Sequence, residues 1–376
     1  MNIVSTIRCA WMVLVIFGLV ACGGSGGGGG GSSSTPGSGN NAPTAIISAP
    51  LGTQHATTVV EYALLTSASD LASIAVEFST NGGINWSPAT RATAPATAGD
   101  GTTGLTTSPS GTSHTFFWAS ATDGVALAGP NSIVRVRITP SANSVAGTPT
   151  STADFTVNNN FNQLVGIASN VFDRNGTVER TQEVAIGNLI ADAARLRYGT
   201  QLVLIGSGSI RTPLPSSYAP TNTALRRTTP GYAVGPPYDL VMGDVYAVLP
   251  FGNRIVTRTV TGAQLWSALE HGVFFMPSAN GGFPQISGFS FTYKLSNAPG
   301  ARIQSVALTG GASILPDATT YTLALLDFTN SGGDGYTMFA DGAGVANVVA
   351  ADVLLEYIQA VGTISPTTGG RITQIP

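Results

Sequence analysis

The stretch Asp327-Phe328-Thr329-Asn330-Ser331-Gly332-Gly333-Asp334-Gly335-Tyr336 decides how the second half of this chain is read. It follows Tyr321 to Leu326, a short, mostly apolar run that reads as a strand. The Gly-Gly-Asp-Gly turn then breaks regular structure. Phe328 and, six residues later, Asp334 therefore share one irregular loop. An aromatic face and a carboxylate on such a loop can grip a heteroaromatic ring and a diol. A purely structural turn is an equally open reading of these residues alone.

Working outward, Gly206-Ser207-Gly208-Ser209-Ile210-Arg211 also leaves a strand, the apolar run Leu202 to Ile205. Its glycines let backbone approach a ligand, and Arg211 can fork onto an anion. It is not a P-loop, because the glycine spacing and the lysine are missing. Nor is it the nucleophile elbow of serine hydrolases, since its glycines and serines are out of phase. Ile186, Leu189, Ile190, Ala193 and Leu196 recur at helical spacing, with Arg195 and Arg197 in the last turn and Gly199 placed to end it. Thr261-Gly262-Ala263-Gln264 has the capping-box form ahead of a second helix carrying Leu265, Leu269 and Val273. Phe289, Phe291 and Tyr293 alternate as a strand, as do Val306 and Leu308, and Leu354, Leu355, Ile358 and Val361 line a last helix ending at Gly362. Helices and strands mix without a strict βαβ rhythm, which predicts an α+β domain.

The first half has a different pattern. From Pro43 to Val157 short strands alternate with turn signals. Ile74, Val76 and Phe78 show the period of a half-buried strand, Asn81-Gly82-Gly83 predicts a tight turn, and Ile84 and Trp86 are expected to open the return strand. Val134, Val136 and Ile138 alternate with Arg135 and Arg137. This predicts an all-β sandwich of immunoglobulin-like or fibronectin-like type over 43–158, a spacer or adhesion module. Trp86, Phe117 and Trp118 are expected in its core, with a sugar-stacking platform as the alternative. His55 and His114 have no ligand-spaced neighbours and are given no role.

The 376 residues are 43% hydrophobic and only 9% charged, with a formal net charge of -3. That balance gives no reason to expect a nucleic acid as partner. Lys294 is the only lysine, so the other basic side chains are arginines, whose planar fork suits carboxylate and phosphate. Both cysteines fall in the first 22 residues. Leu19-Val20-Ala21-Cys22, closing an apolar run, resembles a bacterial lipobox. The resemblance implies a signal peptide over 1–21, a lipid on Cys22 and an outer-membrane address, periplasmic or surface-exposed, because Gly23 and not an aspartate follows. A Gly/Ser-rich tether over 22–42 would separate the lipid from the folded part, reaching roughly 25 Å.

The pieces of the second half occur in the order and rough spacing of a known family. Glu183-x-x-x-Gly187-Asn188-Leu189-Ile190-Ala191-Asp192-Ala193, Ile210-Arg211, Gly243-Asp244-Val245, Pro250-Phe251-Gly252-Asn253, Thr261-Gly262 and Gly332-Gly333-Asp334-Gly335-Tyr336 together resemble the C-terminal domain of the 5'-nucleotidase / UDP-sugar hydrolase family. The resemblance implies that this domain, taken as 165–376, binds a nucleotide or nucleoside. It implies a base stacked between Phe251 and Phe328, its edge read by Asn253, the ribose diol on Asp334 and the phosphates on Arg180 and Arg211. One departure is Gly206, where many relatives carry an asparagine or serine. Another is the long insertion Pro213 to Leu240, containing Arg226-Arg227, whose first reading is a solvated loop, with a lid over the site, a partner-binding segment or a disordered excursion as alternatives.

Family hydrolysis uses two metal ions held by histidine-rich motifs of an N-terminal domain. His55, His114 and His271 lie far apart and in none of those motifs, so no catalytic residue and no cofactor is expected in this chain. Three readings follow. The first is an envelope lipoprotein that binds nucleotides, or the substrate-binding half of a split 5'-nucleotidase whose metallophosphatase is a separate chain, inactive alone. The second is a structural or adhesive envelope protein that kept the fold and lost the ligand. The third, a metal-independent hydrolase, has only Ser207, Ser209 and His271 to offer.

Overall fold

The computed structural model describes residues 42–93 and 99–376. The expected signal peptide, Cys22 and nearly all of the tether lie outside the described residues. Between Thr44 and Val157 the described residues form strands and turns only. Thr44–Ile47, Thr58–Leu65 and Thr112–Trp118 make one sheet, and Ala72–Ser79 and Asn131–Ala142 pair at the centre of a second. Alternate residues of both sheets meet in one core, Val60, Tyr62, Leu64, Phe116 and Trp118 from the first and Ile74, Val76, Val134, Val136 and Ile138 from the second. Phe117 and Trp118 are buried, as expected of core aromatics, whereas Trp86 lies half-buried under the Arg137 guanidinium, 4.4 Å from its ring centroid. The return strand begins later than the pattern suggests, at Ser87, and Ile84 is exposed. The side chains of Ser79 and Asn81 accept the N–H groups of Gly83 and Asn85, which leaves a longer turn before pairing resumes.

From Leu164 onward helices and strands mix around a five-stranded sheet. Its central strand Thr320–Leu326 runs parallel to Leu202–Gly206 and antiparallel to Arg254–Thr261, with Pro284–Ser287 and Val345–Val349 at the two edges. The apolar runs are continuous because both faces are covered. Val203, Ile205, Ala324 and Leu326 face a core shared with the helices Ala185–Tyr198, Met242–Val248 and Ala350–Val361. Leu202, Leu204, Leu323 and Leu325 face a second core shared with the helix Gly262–Gly272 and the strand Phe289–Lys294.

The helix ends follow the local chemistry read from the sequence. Gly199 terminates the first helix in the left-handed region at φ 62°, and Thr261 caps the helix Gly262–Gly272 by accepting the Gln264 N–H while Gln264 accepts from Thr261. Thr261→Ala is expected to cost about 1 kcal/mol, measurable as a shift of the urea midpoint. Leu196 corrects the periodicity: it is 54% exposed, on the rim of a face whose core positions end at Ala194.

The insertion 213–240 is another correction. Instead of a solvated loop, it is fastened by the guanidinium of Arg227, which is fully buried against Asp244 and also donates to the carbonyls of Ser216, Tyr218 and Asp239. The strand-rich first half meets the second through Arg254 on Glu61 at 2.9 Å, His55 facing Asp352 at 3.3 Å, and the Phe161 ring edge-on to Tyr246.

Candidate functional site

Sheet register brings four loops to one edge. Leu204 pairs with Leu325 in parallel, so the loops after Gly206 and after Leu326 leave on the same side. Ile255 lies opposite Leu326 and Pro284 opposite Gly206 in antiparallel pairs, so the segments entering those strands, Pro250–Asn253 and Asn280–Phe283, arrive there too. Strand ends are where irregular backbone and functional side chains collect on a rigid frame.

On this edge Arg211 is exposed and holds its guanidinium 5.5 Å from the centroid of the Phe251 ring. Phe251 is itself 37% exposed. With Asn253, Ser209, Leu249 and Leu326 it lines a small hollow closed by Ala350 and Ala351. The Phe328 ring lies flat over the backbone of Gly333, where a Cβ would stand 2.5 Å from its Cε1 atom. Asp334, an exposed residue held at φ 52°, points its carboxylate toward Gly206 and Gly281. Burial on that side raises its pKa above the usual aspartate value, while the charges of Arg180 and His271 pull it back. Arg180 is half-buried, and its Nε is buried without a hydrogen-bond partner.

All six residues singled out from the sequence thus stand on loops of one edge or, for Arg180, beside it. The segment before the first helix is fixed by Gln285, whose side chain accepts the Val184 N–H and donates to the carbonyls of Glu179 and Gln182. Gly187 is required there, since a Cβ would stand 2.3 Å from Gln285 Oε1. The Asn280 N–H donates to the carbonyl of Arg180.

Sequence reading missed the residues that hold these loops. Arg258 donates to Asn330 Oδ1 and to the Phe339 carbonyl. Tyr336 is fully buried and donates to the Gly282 carbonyl, and His271 Nε2 lies 2.7 Å from the carbonyl oxygen of Asp334. Arg174 lies 2.9 Å from buried Glu179 and donates to the Ile210 carbonyl, next to Arg211. A signal existed for Arg258 alone, a charge at an inward position of a strand.

The serine–histidine arrangement gains no support from these positions. Ser207 Oγ lies within hydrogen-bond reach of the Asn280 and Gly281 carbonyls, Ser209 donates to the Gly206 carbonyl, and His271 is engaged with Asp334. The histidines also fit no dinuclear metal centre. His55 faces Asp352, His114 faces Asp100 and the Thr106 carbonyl, and among the described residues no group of three His, Cys, Asp or Glu could hold a metal ion.

A family model described as the 5'-nucleotidase C-terminal domain matches residues 164–341. Residues 164–341 belong to the 5'-nucleotidase C-terminal domain family. This 5'-nucleotidase C-terminal domain is similar to part of the trifunctional nucleotide phosphoesterase protein YfkN of Bacillus subtilis (strain 168), 28% identical over 224 residues, covering 57% of this chain and 14% of that protein. It is 29% identical over 240 residues to Protein 5NUC of Lutzomyia longipalpis, covering 58% and 39%. Against the snake venom 5'-nucleotidase of Crotalus adamanteus it is 28% identical over 218 residues, covering 53% and 34%. The matched region therefore spans well under two thirds of those relatives' own length. Among solved structures, the 5'-nucleotidase precursor from Thermus thermophilus is similar over 65% of this chain and 50% of that one, at 24% identity and a TM-score of 0.48.

Proposed function

We propose that the cleft of this domain binds a nucleotide or nucleoside. The base would stack between Phe251 and Phe328, with Asn253 at its edge, the ribose diol on Asp334 and the phosphates on Arg180 and Arg211. The convergence of the four loops on one sheet edge supports this reading most directly. Those loops carry two exposed-to-half-buried aromatics, a carboxylate and Arg211, with Arg180 beside them, and stacking tolerates any base. Gly206 offers no side chain, so less base selectivity is expected than in relatives with an asparagine there.

Hydrolysis would need metal chemistry from a metallophosphatase domain, supplied by a separate chain in the split-enzyme reading. The strand-rich first half then serves as an immunoglobulin-like or fibronectin-like spacer, and lipidated Cys22 as an anchor at the outer membrane, periplasmic or surface-exposed. The competing reading, a structural or adhesive protein that kept the fold without the ligand, draws on the bare Gly206 position and the insertion 213–240.

Calorimetric titration with AMP, adenosine and UDP-glucose, with and without Mn²⁺, separates the two. Saturable binding that needs no metal is expected. Arg211→Ala should weaken AMP roughly fivefold, about 1 kcal/mol, and adenosine by a smaller factor, because the phosphate loses its partner while adenosine loses only the guanidinium beside Phe251. A folded protein silent to all three ligands would favour the scaffold reading.

A further inference from the structure

We infer that His271 is a positioning residue for the ribose: its hydrogen bond to the Asp334 backbone holds that residue in the conformation that aims the carboxylate at a sugar diol. The inference rests on the nucleotide reading above. Asp334 stands at φ 52° and ψ 18°, in the left-handed region that a residue with a side chain adopts only at a cost. Gly332 and Gly335, on either side, stand at φ 89° each. Glycine enters and leaves that region freely, so these two residues do not lock the turn. Among the described hydrogen bonds, the one that reaches Asp334 comes from His271, whose Nε2 lies 2.7 Å from its carbonyl oxygen. A carbonyl oxygen only accepts, so Nε2 carries the proton. The imidazole also lies directly on Gly335, where a Cβ would stand 2.6 Å from its Cε1 atom. It meets the Tyr336 ring edge-on, with 4.9 Å between centroids. One ring thus touches Asp334, Gly335 and Tyr336 in succession.

His271 can hold the loop because its own place is fixed. It stands in the last turn of the helix Gly262–Gly272, whose Leu265, Ala268 and Leu269 are buried in the second core. Next to it, the Glu270 carboxylate accepts the N–H groups of Arg302 and Ile303, which ties that end of the helix to the strand Ile303–Leu308. The Asp334 carboxylate is turned the other way, toward two glycines. A Cβ on Gly281 would stand 3.3 Å from Oδ2, and one on Gly206 3.9 Å. Bare backbone there leaves room for a sugar beside the carboxylate. The backbone of Asp334 is therefore gripped from a core-packed helix while its side chain faces the opening. A diol that bonds to both carboxylate oxygens needs a set carboxylate direction, and rotation of the Asp334 peptide would change it. Groups displaced in this way lose much of their worth to a ligand.

The test compares AMP with its 2',3'-dideoxy form, which carries the base and phosphate without the diol, by calorimetric titration. His271→Phe keeps an aromatic ring against Gly335 and Tyr336 and removes the donor. Its AMP affinity is expected to fall about fivefold, the size of one hydrogen bond, with the dideoxy nucleotide unchanged. His271→Ala removes the ring as well and should fall at least as far for AMP, again sparing the dideoxy nucleotide. His271→Gln brings an amide N–H near the position of Nε2 and should bind AMP within about twofold of the wild type. Folded Phe and Ala variants that bind AMP as the wild type does, or that lose both ligands by the same factor, would overturn the proposal. Loss of the fold in all three variants would overturn it too, because His271 would then be a packing residue. A wild type that binds neither nucleotide would instead remove the nucleotide reading, and this inference with it.

Discussion

Arg227→Ala is expected to destabilise the protein by about 3–5 kcal/mol, the cost of leaving a buried charge without its partner. Both side chains of the Arg227–Asp244 pair are 0% exposed, and the two N–O contacts are 2.6 Å each. After the substitution Asp244 keeps the N–H groups of Ser216 and Val241 and the Ser216 hydroxyl, but no positive charge. Against a typical total stability of about 5–15 kcal/mol, that loss approaches unfolding. The neighbouring pair Arg226–Asp239 gives the contrast: Arg226 is 34% exposed, and Arg226→Ala should shift the urea midpoint far less. Urea denaturation of the two variants side by side decides the matter. Equal, small shifts would mean that Arg227 does not fasten the insertion. The effect should also reach the cleft, because Asp244 sits on the helix Met242–Val248, whose Val248 carbonyl accepts the Arg211 N–H.

The sequence made the recurring elements of the second half legible because their signals are local. Gly199 and Gly362 end helices where the periodicity stops, and Thr261 with Gln264 announces a helix start three residues in advance. The loops at this end of the sheet were legible, since Phe251, Asn253, Phe328 and Asp334 lie in glycine-rich breaks after or before apolar strands. What holds the cleft was not. Arg227 finds Asp244 across 17 residues, Gln285 reaches Glu179 across 106, and Tyr336 reaches Gly282 across 54. Such pairings depend on which strands become neighbours, and no local pattern encodes that. Arg226-Arg227 reads as a solvated basic pair in isolation, yet one arginine is buried and the other stays at the surface. Leu196 errs the other way: helical spacing marks a face but not where the core stops beneath it.

Phe328→Ala should weaken nucleotide binding by about 1–3 kcal/mol, the usual worth of one base–aromatic stack, while leaving the fold almost intact. The ring is half-buried, lies on Gly333 and joins neither hydrophobic core of the domain, so its removal opens no internal cavity. Phe339, on the same loop, is 0% exposed inside the second core, and Phe339→Ala should cost about 3–5 kcal/mol of stability. The pair separates a ligand role from a packing role within one loop. Gly333→Ala is a third probe, since its methyl group would displace the ring without removing it. Calorimetry with AMP and with ribose 5-phosphate should show both Phe328→Ala and Gly333→Ala losing affinity for the nucleotide alone. If Phe328→Ala instead binds AMP like the wild type and loses as much stability as Phe339→Ala, the ring is structural. The base must then be sought elsewhere on the sheet edge, with Phe251 and the Arg211 guanidinium above it as the remaining stacking surface.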